Sequence, residues 1–201
     1  VNTRAAQDEV SLWLRAAGRG DVTYLKEHPK LVGSANVNGT TALMSAASRN
    51  QYKTIRVLLE LGEELNALDK NQDTALFYTI APNHLEAFKE LMNAGAVAFN
   101  TRIDGVSPLM MAVDFNRPKM VEMILARGVD VNQTTEDGWS ALFYTLRGQR
   151  LDLAKRLIQS GAIVSFIDKD GKSVLDYAIE DQWIEGEKLF RSYLKEEPSK
   201  N

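Results

Sequence analysis

With 201 residues, a formal net charge of −3 and 25% charged side chains, the chain has single-domain length and no excess of cations. Its Lys and Arg residues form no runs, which argues against a nucleic-acid footprint or an anchor on an anionic membrane. No apolar stretch approaches the ~18 residues that suggest a membrane-crossing helix, and zero cysteines leave no disulfide framework, thiolate metal site or cysteine nucleophile.

In chain order, residues 1–10 are polar and are expected to extend or fray from the first helix. Residues 11–17 then match 41–47 at an offset of 30. A second helical stretch, Val22 to Glu27, is cut off by His28-Pro29, because proline cannot continue a helix and biases its predecessor away from helical angles. Residues 11–40 therefore read as a shortened, N-terminal capping unit.

From Thr41 the chain repeats itself. Thr41-Ala42-Leu43, Thr74-Ala75-Leu76, Ser107-Pro108-Leu109, Ser140-Ala141-Leu142 and Ser173-Val174-Leu175 stand 33 residues apart, and Gly62, Gly95, Gly128 and Gly161 keep the same beat. Fixed self-similarity at this period marks a stacked repeat. Each opening Thr or Ser is a good N-cap for a short first helix, and small residues such as Ala46-Ala47 permit close helix approach. Asn50, Asn83 and Asn116 end the first helices, since asparagine tolerates the left-handed turn. The second helices show apolar residues at helical spacing, such as Tyr52, Ile55, Leu58 and Leu59, and the glycines close them. Polar loops with Asp104-Gly105, Asp137-Gly138 and Asp170-Gly171 turns complete each unit. The fold class is all-α, with about six helix–turn–helix units: the cap 11–40, then 41–73, 74–106, 107–139 and 140–172, and a C-terminal cap 173–195. Residues 196–201 are expected to form a disordered tail.

The T/S-x-L openings, the Ala-Ala pair, the helix-closing glycines, the Val131-Asn132 step and the Asp-Gly turns together resemble the ankyrin-repeat family over roughly residues 11–195. The family's T-P-L-H motif is never complete. Its histidine slot holds Met44, Phe77, Met110, Phe143 and Asp176, so apolar packing is expected to replace the histidine's bracing hydrogen bonds. Gln72 stands where the other loops carry glycine, and Glu187 falls in the slot of Ile55, Phe88 and Val121, which points to a one-residue shift of the last helix around Gly186.

No convergent catalytic set emerges. His28 and His84, the two histidines, read as structural, and no nucleophile-elbow, zinc-protease, P-loop or dinucleotide motif is present. Asp168-Lys169-Asp170-Gly171 resembles the start of a calcium loop, but Ile179 occupies the position of the bidentate glutamate. The reading is therefore a non-enzymatic chain without cofactor or metal.

The resemblance implies that first helices and loop tips line a concave face that binds another protein. On that face the fifth slot of the unit holds Tyr78, Met111, Tyr144 and Tyr177, the ninth holds Phe115, and Ile103, Val106 and Trp139 lie on the loop edge. These eight residues are the candidate partner-binding set, with Trp139 foremost because a tryptophan on a loop tip has little core to enter. The expected partner is another folded protein, for instance an enzyme that the chain masks or inhibits, and the chain itself is expected to be a monomer when unbound. A scaffold joining two partners, using a second patch at Trp183, and a homodimer through the same aromatic face are the alternatives. Absence of cysteine suits an oxidising compartment. Val1 in place of Met is read as the trace of a removed signal peptide, with an imposed chain boundary or a non-ATG start as alternatives. The bacterial periplasm is the expected location and the cytoplasm the alternative.

Overall fold

The sixteen-residue helix α1 (Arg4–Arg19) opens the chain. The computed structural model describes residues 4–99 and 101–196. The polar N-terminal segment is thus helical from Arg4 rather than a separate extension; Ala5, Ala6 and Gln7 are good helix formers that lengthen the helix carrying the buried Trp13 and Ala17. Helix α2 (Val22–Glu27) follows, capped by the Asp21 carboxylate, which accepts from the Tyr24 N–H at 3.1 Å, and Pro29 ends it in a single 3₁₀ turn.

Two compact units emerge, one ending at Ile103 and the other beginning at Asp104. The first contains α1, α2, α3 (Ala42–Ala47), α4 (Tyr52–Glu60), α5 (Phe77–Ile80) and α6 (Leu85–Asn93). Within it α1 packs on α3 and α3 on α5, while α2 packs on α4 and α4 on α6, giving one layer of first helices and one of second helices. The second unit contains α7 (Pro108–Asp114), α8 (Pro118–Leu125), a 3₁₀ turn at Phe143–Thr145, α9 (Leu151–Gln159), α10 (Val174–Glu180) and α11 (Ile184–Glu196). There α7 packs on the 3₁₀ turn, and α9 packs on α11. Among the described residues no β-strand forms; three isolated bridges, Ala35 with Thr41, Thr134 with Ser140 and Ile167 with Ser173, close loop bases. The last helix reaches Glu196, and the remainder of the expected tail, residues 197–201, lies outside the described residues.

Local chemistry explains which first helices are long. Thr41, Ser107 and Ser173 accept from the N–H three residues on, while Met44 Sδ, Met110 Sδ and an Asp176 carboxylate oxygen accept the N-cap N–H in return. These reciprocal capping boxes satisfy two otherwise orphaned donors each. At the methionine positions this corrects the expectation of purely apolar packing: the sulfurs, 3.4 Å from the Thr41 and Ser107 nitrogens, act as acceptors. Phe77 and Phe143 have no acceptor to offer. Their repeats form only the four-residue α5 and the 3₁₀ turn, while both rings are buried, at 3% and 1% exposure.

The left-handed stops fall where expected, with Asn50, Asn83 and Asn116 at φ of 56°, 62° and 53°. Asn50 also accepts from the Ala87 N–H at 3.1 Å, so one turn serves the start of the next second helix. Gln72 adopts φ 63° in the slot that Gly39, Gly105, Gly138 and Gly171 fill. A non-glycine residue there costs roughly 1–2 kcal/mol, against about 0.5–1 kcal/mol of extra chain entropy lost by glycine. Gln72→Gly is therefore expected to stabilise the protein by about 0.5–1 kcal/mol, read as a higher denaturation midpoint at unchanged slope; a lower midpoint would show that the Gln72 side chain makes an unseen contribution.

Glu63 ties α1 to the rest of the first unit. It is buried, its Oε1 accepts from Trp13 Nε1 at 3.3 Å and from the Gly33 N–H at 3.1 Å, and its Oε2 has no protein partner. Burial pushes its carboxyl up, and the two hydrogen bonds only partly oppose the shift.

Candidate partner-binding face

Loops stack through the backbone. The Lys70 N–H donates to the Asn38 carbonyl at 3.0 Å and the Ile103 N–H to the Asn71 carbonyl at 2.9 Å, so Val37, Lys70 and Ile103 occupy successive loop tips in the first unit. In the second, the Lys169 N–H donates to the Asp137 carbonyl at 3.0 Å. The approach is close: a Cβ at Gly39 would lie 3.0 Å from the Asp69 Cα, and one at Gly138 would lie 2.9 Å from the Asp168 Cα.

Two aspartates, 99 residues or three repeat lengths apart, organise these loops. Asp69 accepts from the Asn71 and Asp73 N–H groups at 2.8 and 2.9 Å, and from the Tyr78 hydroxyl at 2.7 Å. Asp168 accepts from the Asp170 and Lys172 N–H groups at 2.9 and 3.0 Å, from the Tyr177 hydroxyl at 2.6 Å and from Trp139 Nε1 at 3.2 Å. The Tyr177 bond, helped by the backbone and indole donors, holds the Asp168 carboxyl below the usual carboxylate range although burial opposes it. The same bond is the main cause that pushes the Tyr177 hydroxyl up to about 12. Burial first, then Asp69, raises Tyr78 as well. With four donors on its two oxygens, Asp168 is the brace of a loop rather than the opening of a calcium site.

Around Asp168 sits an aromatic cluster. Trp139 stacks on Phe143 with centroids 5.7 Å apart and meets Tyr144 and Tyr177 edge-on at 5.7 and 5.9 Å. This revises the expectation for the tryptophan: it does find something to pack on, and its ring is half-buried. Tyr144 is only 9% exposed, so it is a packing residue and not a free anchor. Its hydroxyl is raised chiefly by burial, and the Arg147 guanidinium lies 5.7 Å from its ring. Tyr177 is half-buried with Lys172 Nζ 5.3 Å from its ring. Tyr78 belongs to the first unit and is bound to its own Asp69.

The remaining candidates are freer. Ile103 is 64% exposed on its loop tip and Phe115, at the C-cap of α7, is 42% exposed. Val106 and Met111 are half-exposed. Sequence reasoning left Val37 and Phe99, each 66% exposed, out of the candidate set. It missed the two bracing aspartates too, although the recurrence of Asp followed nine residues later by Tyr was there to be read. Trp183 is only 2% exposed and supplies no second patch. His28 Nδ1 lies 2.8 Å from the Tyr24 carbonyl and His84 Nδ1 lies 3.1 Å from the Ala47 carbonyl, so both rings serve the backbone.

Among the described residues no helix is long and apolar enough to cross a membrane. Residues 61–135 match a model of three ankyrin-repeat copies, and residues 38–70 match that of a single ankyrin repeat. Ankyrin repeats are protein–protein interaction modules, in keeping with the exposed apolar loop tips. The helix pairs, their left-handed stops, the stacked loops and these matches agree, and the chain is an ankyrin-repeat protein.

Proposed function

We propose that this protein grips a folded partner through its loop tips and first-helix face, and that the grip masks or inhibits the partner. The observation that carries the reading is the loop edge of the first unit, where Val37 and Ile103 are each about two-thirds exposed. Large apolar side chains standing clear of the core on braced backbone are what an interface core needs. Hydrogen-bonded loops also lose little conformational freedom on docking. In the second unit Phe115 and Met111 offer contact area, whereas Trp139, Tyr144 and Tyr177 chiefly hold the loop in shape. The braced face favours masking because a rigid surface covers its target without rearranging it.

Ile103→Ser and Phe115→Ser, made singly, are expected to lower capture of the partner from native extract about thirty-fold or more, equivalent to ~2 kcal/mol per hot-spot side chain. Thermal unfolding should be nearly unchanged, because both residues are exposed. Capture of the same proteins at the same level by both variants would refute the reading. Partner identified by cross-linking should then lose its own activity when saturated with this protein; full activity at saturation would refute masking and leave binding standing.

A further inference from the structure

Within the first unit a pocket of about 470 Å³ lies between α1, α3 and the loop that precedes α3. Arg15, Arg49, Ser11, Ser45 and Ser48 line it, the Ser48 hydroxyl donating to the Ser45 carbonyl at 2.9 Å, and no Asp or Glu does. Five other arginines of this acidic protein are paired instead. Arg56, Arg102, Arg147, Arg156 and Arg191 each lie within 2.9 Å of a carboxylate oxygen. Arg15 and Arg49 have no ion-pair partner among the described residues. Arg49 is nonetheless held in place: its stem lies against α1, where Gly18 has no Cβ, and one added there would stand 3.1 Å from Arg49 Cδ and 3.2 Å from Nε. An exposed guanidinium without an ion-pair partner, beside the Ser11 and Ser45 hydroxyls, is complementary to carboxylates, which it engages through two parallel N–H···O bonds. The volume falls in the range of ligand sites, far beyond what a single small anion fills. Val37 at the rim, 66% exposed, adds apolar surface that suits a peptide.

We infer that this pocket receives an acidic peptide segment, whose Asp or Glu carboxylates pair with Arg15 and Arg49. That the segment belongs to the partner rests on the function proposed above; the pocket's chemistry does not. The test is a titration of the full chain with N-acetylated, amidated hexaglutamate, followed by backbone NMR shifts. Saturable shifts are expected at Ser11, Ser45, Ser48 and the loop at 35–40, weakening as salt rises because exposed pairs are screened. Arg15→Gln combined with Arg49→Gln should weaken binding at least tenfold with an unchanged melting temperature, and hexaglutamine should produce no shifts. The inference is overturned if hexaglutamine binds equally, if the double variant binds like the wild type, or if hexaglutamate leaves these residues unmoved. It is likewise overturned if inorganic phosphate shifts them and hexaglutamate does not, which would make the site one for a small anion. Ile103→Ser and Phe115→Ser should bind hexaglutamate normally, so failure of the pocket and failure of the loop-edge reading are told apart.

Discussion

Asp168→Ala is expected to destabilise the second unit by about 3 kcal/mol or more, because it orphans four donors at once. The residue is 6% exposed, and its carboxylate accepts from the Trp139 indole, the Tyr177 hydroxyl and the two loop N–H groups. Hydrogen bonds to a charged acceptor contribute roughly 1.5–3 kcal/mol each, and those sharing one acceptor do not add. Asp168→Asn keeps an acceptor oxygen but turns an amide toward the donors, so it should fall between. The readouts are the urea midpoint and a red shift of tryptophan emission as Trp139 loses its place. An unchanged midpoint would mean that the loop holds without its brace.

The same variant carries a pH signature whose sign follows from the direction of each shift. Asp168 is lowered in the folded state, so its contribution is complete above the unfolded value of about 4 and is lost as the pH falls through the folded value. Tyr177 is raised to about 12, so its contribution is complete below the unfolded value and is lost as the pH climbs from roughly 10 toward 12. Stability of the wild type minus that of Asp168→Ala should thus be flat between those limits and shrink at both ends. A difference that stays constant below pH 4 would contradict the hydrogen-bond geometry.

Gly186→Ala is expected to cost about 2–3 kcal/mol, opposite to what helix propensity alone suggests. Alanine is better than glycine in a helix interior by about 1 kcal/mol. Position 186 is buried in α11, however, and a Cβ there would overlap the Trp183 indole. Trp183 is itself fixed, with its N–H on the Ala178 carbonyl at 2.8 Å and its ring edge-on to Phe190 at 5.7 Å. Overlap with the six-membered part of an indole that is 2% exposed cannot be relieved by a small rotation. Trp183→Leu in the Gly186→Ala background should recover part of the loss, since it removes the obstacle. A stabilised single variant, seen as a raised urea midpoint, would show that α11 and Trp183 do not pack this way.

These residues also mark how much of the fold is legible in the sequence. The one-residue shift expected around Gly186 does not occur: Gly186 is buried in the slot of Thr54, Ala87 and Met120, Phe190 is buried in that of Leu58 and Leu91, and Glu187 stays in the slot of Ile55, half-exposed and paired with Arg191 at 2.8 Å. Helix stops at Asn50, Asn83 and Asn116 were legible because a left-handed residue is a local demand that the residue type answers. Burial of Tyr144 was not, since a fifth-slot tyrosine looks the same whether its ring meets solvent or the edge of Trp139. Nor was the pairing of Tyr177 with Asp168, which depends on how a loop folds back over a helix nine residues later.

Period, helix pairs and turn positions follow from the linear order of residues, because a 33-residue spacing and the caps at each end act within one repeat. Which aromatic residues are occupied and which are free was decided only when neighbouring repeats packed, since burial and hydrogen bonding between side chains are set by what lies across the gap. So too for Arg15 and Arg49: unremarkable in the chain, they become a site because helix packing brings two unpaired cations to one pocket and no carboxylate with them.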